Sequence, residues 1–536
     1  LLIRLDIAVQ IRASQRQNDG VARATHGKVA DRGVTAPRMQ CNHHIGFNAT
    51  PINLDSHLVT QLAQHPGPTQ SGAAIAMQRT GPGGCDECDF HGMFGGTLPT
   101  MTIADAHTVD DLTGLLEAAR TRTLRHSAAL TDNEWMGPYL TIINPPLWEI
   151  GHLGWFHEHW CLRYAPGRAL APSLIENADA RYNSARIAHA DRWRVELPDA
   201  RATLDYLARV QDAIRLRLTR EGATPHLDYF VQLSVFHEDM HNEAFDCMRQ
   251  TLGRPPADAP GAAALAVTRA PGDAAISGGR FMLGAQPGAG FVFDNEKWAH
   301  PVEVQPFCMS RTAVSNSDYA QFVLDGGYRC RAFWCDAGWR WREGIGAQAP
   351  LYWKTQKKHI LVRVYGEWRP LNEDAAVIHV NWYEAQAYCR WAKRRLPAEA
   401  EWEFAAATAP GSVLHKRRYP WGDALPTPAH ANLYGGAGRT VNVNAHAAGD
   451  SAWGVRQLFG NAWEWTADWF NAYPSFVRDP YKEYSEPWFG NHKVLRGGVH
   501  GAQRTRIAIA CVAFGKRRTG GGAAGHDGTP VTWPAL

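Results

Sequence analysis

The sequence predicts an α+β multidomain chain, a four-helix bundle followed by a compact α+β domain rich in irregular structure. Three observations carry that expectation. Apolar residues recur at helical spacing from Met101 to about Arg254; the composition then shifts to Ala, Pro, Gly and Asp; and beyond Arg280 the chain is dense in Gly and Trp, with short β-like runs.

In the segment 199–220, Leu204, Leu207, Ile214 and Leu218 return to one helix face, and Pro198 and Asp199 stand where a helix start needs them. Comparable helices are predicted at 108–129, 145–164 and 227–252, and four helices with intervening loops suggest a bundle over 101–254. The string GRPPADAPGAAALAVTRAPGDAAISGG keeps no periodicity, so 255–277 is read as a linker. From 278 to 498 the runs RFMLGA and AVIHVNW read as strands, with helices at about 382–394 and 398–408.

A chain of 536 residues with 45% hydrophobic and 20% charged side chains is neither disordered nor fibrous. Its 55 basic residues nearly balance 52 acidic ones, so it lacks the field that nucleic-acid partners require. Twenty of the 21 tryptophans lie between Met101 and Gly498, and residues 1–100 contain neither Trp nor Tyr. Aromatic side chains supply much of a core's buried area. Residues 1–100 are therefore expected to be a non-native or disordered leader. No run of about eighteen apolar residues is present, so no membrane span is expected. The opening LLIRLDIAVQIR carries charges within its apolar run, unlike a secretory signal. Ten scattered cysteines fit a reducing, cytoplasmic compartment better than a disulfide framework. Cys85 and Cys88 form a lone CxxC, and one such pair does not complete a zinc site.

The chemistry concentrates in VFHEDMHNEAF. His237 and His241 are four residues apart, so both imidazoles project from one helix face toward one metal ion. The spacing alone is weak, since about one such pair is expected by chance among 24 histidines. It gains weight from the apolar setting of Phe236, Met240 and Phe245, from Glu243 at HxxxHxE spacing, and from His152 in NPPLWEIGHLGWFHEHW on a second helix. Bundles build metal sites from facing helices, and three neutral imidazoles leave open positions on a divalent metal. The metal is not fixed by this: zinc and ferrous iron both accept imidazole. His237-Glu238-Asp239-Met240-His241 also satisfies the HExxH pattern of zinc peptidases, so a zinc hydrolase is a second reading. His157 and His159 follow His152 at spacings that turn them away, with His159 near enough in phase to stand behind a ligand.

WEIGHLGWFHE and FHEDMHNEAF together resemble the iron-binding half of the ergothioneine-type sulfoxide synthases, whose first domain is a DinB-like four-helix bundle. SGGRFMLGA, FDNEKWAHPVEV, VIHVNWYEAQAYCRWAKRRLPAEAEWEFAAA, RRYPWGD, GNAWEWTADWF and HKVLRGG resemble their second, formylglycine-generating-enzyme-like (C-type-lectin-like) domain. The resemblance covers nearly all of 101–498. It implies a mononuclear nonheme Fe(II) centre held by His152, His237 and His241, with a thiol bound to the iron, dioxygen activated beside it, and a new bond to the imidazole C2 of hercynine, Nα-trimethylhistidine. Such chemistry needs a proton donor near the metal. The family's active-site tyrosine falls on Tyr481 in PYKEYSEPWFG, with Tyr484 as the other alignment.

Three departures matter. Ergothioneine enzymes often carry a Gln-rich HEQQHQEL-like string where this chain has HEDMHNEAF. That variant, with FVFDNEKWAHPV and DPYKEYSEPWFG, is similar to the selenoneine synthases, which join a selenosugar to hercynine; the donor is sulfur or selenium, with a lean to selenium. Formylglycine-generating enzymes use a late cysteine pair, and this chain offers only Cys511 there, while Cys389 in AYCRW resembles a structural position. After HKVLRGG the family's closing strings are replaced by a stretch with Asp527 as its single acidic residue. Residues 499–536 are therefore expected to be an aberrant, frame-shifted segment, and a non-catalytic metal-binding or interaction protein is the third reading.

Overall fold

The structure, a computed structural model, describes residues 107–257, 266–288, 290–356, 359–412, 415–433, 439–498 and 511–514. The expected leader, 1–100, and all of the expected aberrant tail except 511–514 lie outside the described residues.

The helical half follows from its caps. Helix α1 (Val109–Ala128) starts on a reciprocal capping box between Thr108 and Asp111. Helix α2 (Pro146–Glu158) starts on Pro146, whose missing N–H costs nothing in a first turn. Its predicted continuation to 164 is realised as one π turn, His159–Arg163, closed by the Tyr164 amide on the His159 carbonyl at 2.8 Å; such turns often mark functional sites. After the short α3 (Ala178–Tyr182), α4 (Ala200–Glu221) runs from the Asp199 cap to Gly222, and α5 (Pro225–Leu252) from the Thr224 cap to Gly253 in the left-handed region. Leu112, Leu116, Trp148, Phe156, Val210, Ile214, Leu218 and Val231 form the buried core. Gly154 allows α2 and α4 to approach, because a Cβ there would lie 2.8 Å from Leu207 and 3.0 Å from Tyr206.

The second half is built of short elements. Strands β1 (Asp273–Ile276), β2 (Gly279–Leu283), β3 (His300–Val304) and β4 (Phe307–Ser310) form two antiparallel pairs, β1 with β4 and β2 with β3. Helices α6 (Asn316–Leu324) and α7 (Asp336–Ile345) precede an antiparallel meander of β5 (Trp353–Gln356), β6 (His359–Val364) and β7 (Glu367–Pro370). Helices α8 (Trp382–Trp391) and α9 (Glu399–Ala407) follow. The last sheet holds β8 (Trp463–Trp469), β9 (His492–Gly497) and β10 (Cys511–Phe514), with β9 central and Cys511 opposite Leu495.

Three expectations need correction. The expected linker, 255–277, ends in structure: Asp273–Ile276 is β1, paired with β4, with Ala274 and Ile276 buried. AVIHVNW, residues 376–382, is not a strand: His379 has φ of +67°, and Asn381 turns to cap α8 by accepting from the Glu384 amide. Extended pairing stops where a side chain offers the backbone a cap instead. The Gly- and Trp-rich stretch also hides α6, signalled by the Ser315/Asp318 capping box, and α7, signalled by Ala337, Trp341 and Ile345 at four-residue spacing.

The two halves share a core. Phe291, Phe293 and Tyr481 of the second half belong to the same buried cluster as Trp148, Phe156 and Phe230 of the bundle. Within the second half, fully buried Arg496 of β9 pairs with Glu296 at 3.1 Å, with Glu399 at 3.5 Å and with Glu403. A buried charge persists only when so compensated, and this group ties the last sheet to α9 and to the turn at 294–296. No helix among the described residues is long and apolar enough to cross a membrane.

Candidate metal centre

Helices α2 and α5 bring His152, His237 and His241 together, each buried and offering a ring nitrogen within 4.8 Å of the other two. The i, i+4 spacing on α5 supplies two of the rings, and the α2 helix facing α5 supplies the third. Each outer nitrogen that is held decides which inner nitrogen is exposed to a metal. The Nδ1 of His152 lies 2.8 Å from the carbonyl oxygen of Tyr182. The Nδ1 of His241 lies 2.6 Å from Oε1 of Glu149, itself buried. Protons on both Nδ1 atoms leave both Nε2 lone pairs available. The Nε2 of His241 is buried and has no hydrogen-bond partner among the described residues. A divalent ion that prefers imidazole nitrogen fits this donor set.

Glycine explains how Tyr182 comes so close. A Cβ on Gly151 would lie 2.3 Å from the Tyr182 ring, so only glycine beside His152 allows this tyrosine, and with it the carbonyl that holds His152, to lie on α2. Aromatic rings wall the cluster. Trp148 stacks on His152 with centroids 4.9 Å apart, and Phe156 lies parallel to His237 at 3.5 Å. Tyr481 closes the site from the second half, its ring 6.1 Å from that of His237 and edge-on to Phe156 at 5.0 Å. Burial, helped by the Glu483 charge, pushes the Tyr481 phenol well above its usual range, so it stays protonated. Tyr484 sits farther out, stacked on Phe293 at 3.9 Å.

The remaining sequence candidates take other places. His157 points its Nε2 at Glu238, 2.9 Å away, and His159 packs in the π turn between Trp155 and Trp160. Glu243 accepts from the Trp463 indole at 3.1 Å and so joins α5 to β8. Glu238 is engaged on both oxygens: Arg120 donates to them at 2.9 and 3.3 Å and Thr123 to one at 2.6 Å. Burial alone would raise its pKa, but the Arg120 charge and the His157 contact outweigh burial and hold the carboxyl below the usual range. A carboxylate held in this way by Arg120, Thr123 and His157 is not free to act as the general base that the zinc-peptidase reading requires. Cys389 is half-buried, and burial pushes its thiol up to about 11, as expected of an inert structural cysteine.

Residues 115–244 match the DinB superfamily, and residues 260–527 match the sulfatase-modifying factor enzyme 1-like domain. A hercynine oxygenase of Mycolicibacterium thermoresistibile is 36% identical over 397 residues, covering 71% of this chain and 85% of that protein. The chain belongs to the hercynine oxygenase family. A second hercynine oxygenase, from Mycobacterium tuberculosis, is 36% identical over 395 residues, 72% of this chain and 90% of its own length. A formylglycine-generating enzyme of Streptomyces coelicolor is 33% identical over 255 residues, 43% of this chain and 78% of that protein. As a member of the hercynine oxygenase family the chain is an oxidoreductase with a DinB helical domain followed by a formylglycine-generating-enzyme-like domain. The match to that second domain runs beyond Gly498 to residue 527.

Sequence reasoning missed Glu149, Tyr182 and Phe156, which orient or cover the three histidines. Glu149 stands three residues before His152, a spacing that invites attention to His152 itself. Its partner is instead His241, 92 positions away, and no local pattern announces that.

Proposed function

We propose that this chain is a nonheme iron(II), dioxygen-dependent synthase that joins a sulfur or selenium donor to the imidazole C2 of hercynine. The observation that carries the reading is the convergence of three buried imidazoles, His152, His237 and His241, beneath Tyr481 in a member of the hercynine oxygenase family. Ferrous iron held there supplies dioxygen activation and a coordination position for the chalcogen of the donor. The protein supplies the rest. Glu149 and the Tyr182 carbonyl hold two of the ligand rings in the orientation that presents Nε2. Trp148, Phe156 and Trp160 keep bulk water from the site, and a dry site strengthens every charge interaction within it. Tyr481 holds its proton on Oη and delivers it as a neutral donor.

The string HEDMHNEAF, with Met240 where ergothioneine enzymes often carry Gln, favours the selenium donor. Aerobic incubation of the iron-loaded chain with hercynine and, in turn, γ-glutamylcysteine, cysteine or a selenosugar tests the reading by mass spectrometry. Coupled product is expected with at least one donor, most with the selenosugar. Absence of coupled product with all three overturns it.

A further inference from the structure

Tyr481 reaches the histidines from a loop of the second half, and one carboxylate anchors that loop. Asp479 accepts at the same oxygen, Oδ2, from Tyr229 Oη at 2.6 Å and from Lys297 Nζ at 2.7 Å. Its own amide donates to Asp294 Oδ2 at 3.2 Å. These partners belong to separate elements: Tyr229 lies on α5, two helical turns before His237, while Asp294 and Lys297 lie in the turn that follows Phe293. The Lys297 ammonium also sits 5.4 Å above the Tyr229 ring. A carboxylate that accepts from an ammonium and a phenol together makes charge-assisted bonds, stronger and more directional than neutral ones. With side-chain exposures of 15% for Lys297 and 20% for Asp479, the group is partly shielded from solvent. By contrast Arg478–Glu486, the other ion pair of this loop, is largely exposed and contributes little.

We propose that Asp479 is a positioning residue, a latch that ties the Tyr481 loop to α5 and so sets the Tyr481 ring over the three histidines. Apolar packing on Phe156 and Trp160 would keep Tyr481 near the site without it, but such packing is non-directional, and the hydrogen bonds supply the orientation. The consequence for turnover rests on the role given to Tyr481 above; the latch itself rests on the hydrogen bonds alone.

The test uses the full iron-loaded chain and the variants Asp479→Asn, Tyr229→Phe, Tyr481→Phe and Asp479→Asn with Tyr481→Phe. Hydrogen exchange by mass spectrometry should show faster exchange over 478–489 in Asp479→Asn and, less so, in Tyr229→Phe, with α2 and the ligand-bearing part of α5 unchanged and iron content unchanged. The kcat of Asp479→Asn should fall on the order of 10²-fold, the scale of a misplacement of about 1 Å, while KM stays within about threefold. In the Tyr481→Phe background the same substitution should cost no further turnover. Unchanged exchange over 478–489 in Asp479→Asn overturns the latch, whatever the activity. A loss in the Tyr481→Phe background as large as in the parent overturns the claim that Asp479 acts through Tyr481. If Tyr481→Phe alone left turnover intact, the role of Tyr481 in the proposed function would fall, and exchange would still decide the latch.

Discussion

Replacing Gly151 by alanine sets a methyl group against a ring that has no open side. The new Cβ would lie 2.3 Å from Cε1, 2.5 Å from Cζ and 2.7 Å from Oη of Tyr182, against the roughly 3.5–4.0 Å at which such atoms rest. Tyr182 is fully buried, so it moves only by displacing its neighbours. Overpacking of this kind costs about 3 kcal/mol at the upper end of the usual range, and the greater helix preference of alanine returns about 1 kcal/mol. The net loss of about 2 kcal/mol corresponds to a melting temperature lower by about 4–8 °C for a domain of this size. Gly114 is the control: it lies in α1 with nothing within 4 Å of its would-be Cβ, so Gly114→Ala should stabilise the bundle by about 0.5–1 kcal/mol. Thermal unfolding followed by circular dichroism compares the two. Because the Tyr182 carbonyl holds His152, Gly151→Ala should also weaken metal binding, measured by competition with a chelator. A Gly151→Ala protein that melts at or above the parent temperature and binds metal as tightly refutes the packing argument.

His237→Ala and His241→Ala should each abolish iron binding; stoichiometric iron in either purified protein would contradict the ligand assignment. Glu149→Gln replaces the carboxylate that holds His241 and should lower metal affinity about 10–100-fold, read by the same competition assay; an unchanged affinity would mean that Glu149 does not orient the ring. Tyr481→Phe should keep its iron and lose about 10²–10⁴-fold in turnover, so retained turnover counts against a proton-donor role. Burial, with the charges of Arg249, Arg122 and Arg125, holds the His126 imidazole down at about 3, so the folded bundle binds its proton later than the unfolded chain does. Its contribution to stability is therefore whole above the unfolded value of about 6.5 and is lost as pH falls toward 3, at up to about 1.4 kcal/mol per unit. Denaturant titrations of His126→Gln between pH 7 and 4 should show a shallower decline than the parent, and an equal slope would refute this.

Local rules made much of the architecture legible. Helical spacing and caps placed the long helices of the bundle, because a 3.6-residue period and a Ser, Thr or Asp cap act over a few neighbouring residues. The same locality made His237 and His241 readable as a pair. AVIHVNW failed for a related reason: its apolar alternation suits a strand, yet Asn381 caps a helix within the same seven residues.

By itself the sequence determined the order of a helical and an α+β half, the spacing of two imidazoles on one helix face, and the ordered strings by which the chain resembles its family. Only the tertiary structure decided what surrounds those imidazoles. Glu149 meets His241 across 92 residues, Arg120 meets Glu238 across 118, and Asp479 meets Tyr229 across 250. Such pairs are chosen by which faces of packed elements meet, and no periodicity within a segment records that choice. HExxH is thus the same string in either reading, and its glutamate is committed to Arg120 and Thr123 because α1 packs against α5 beside it.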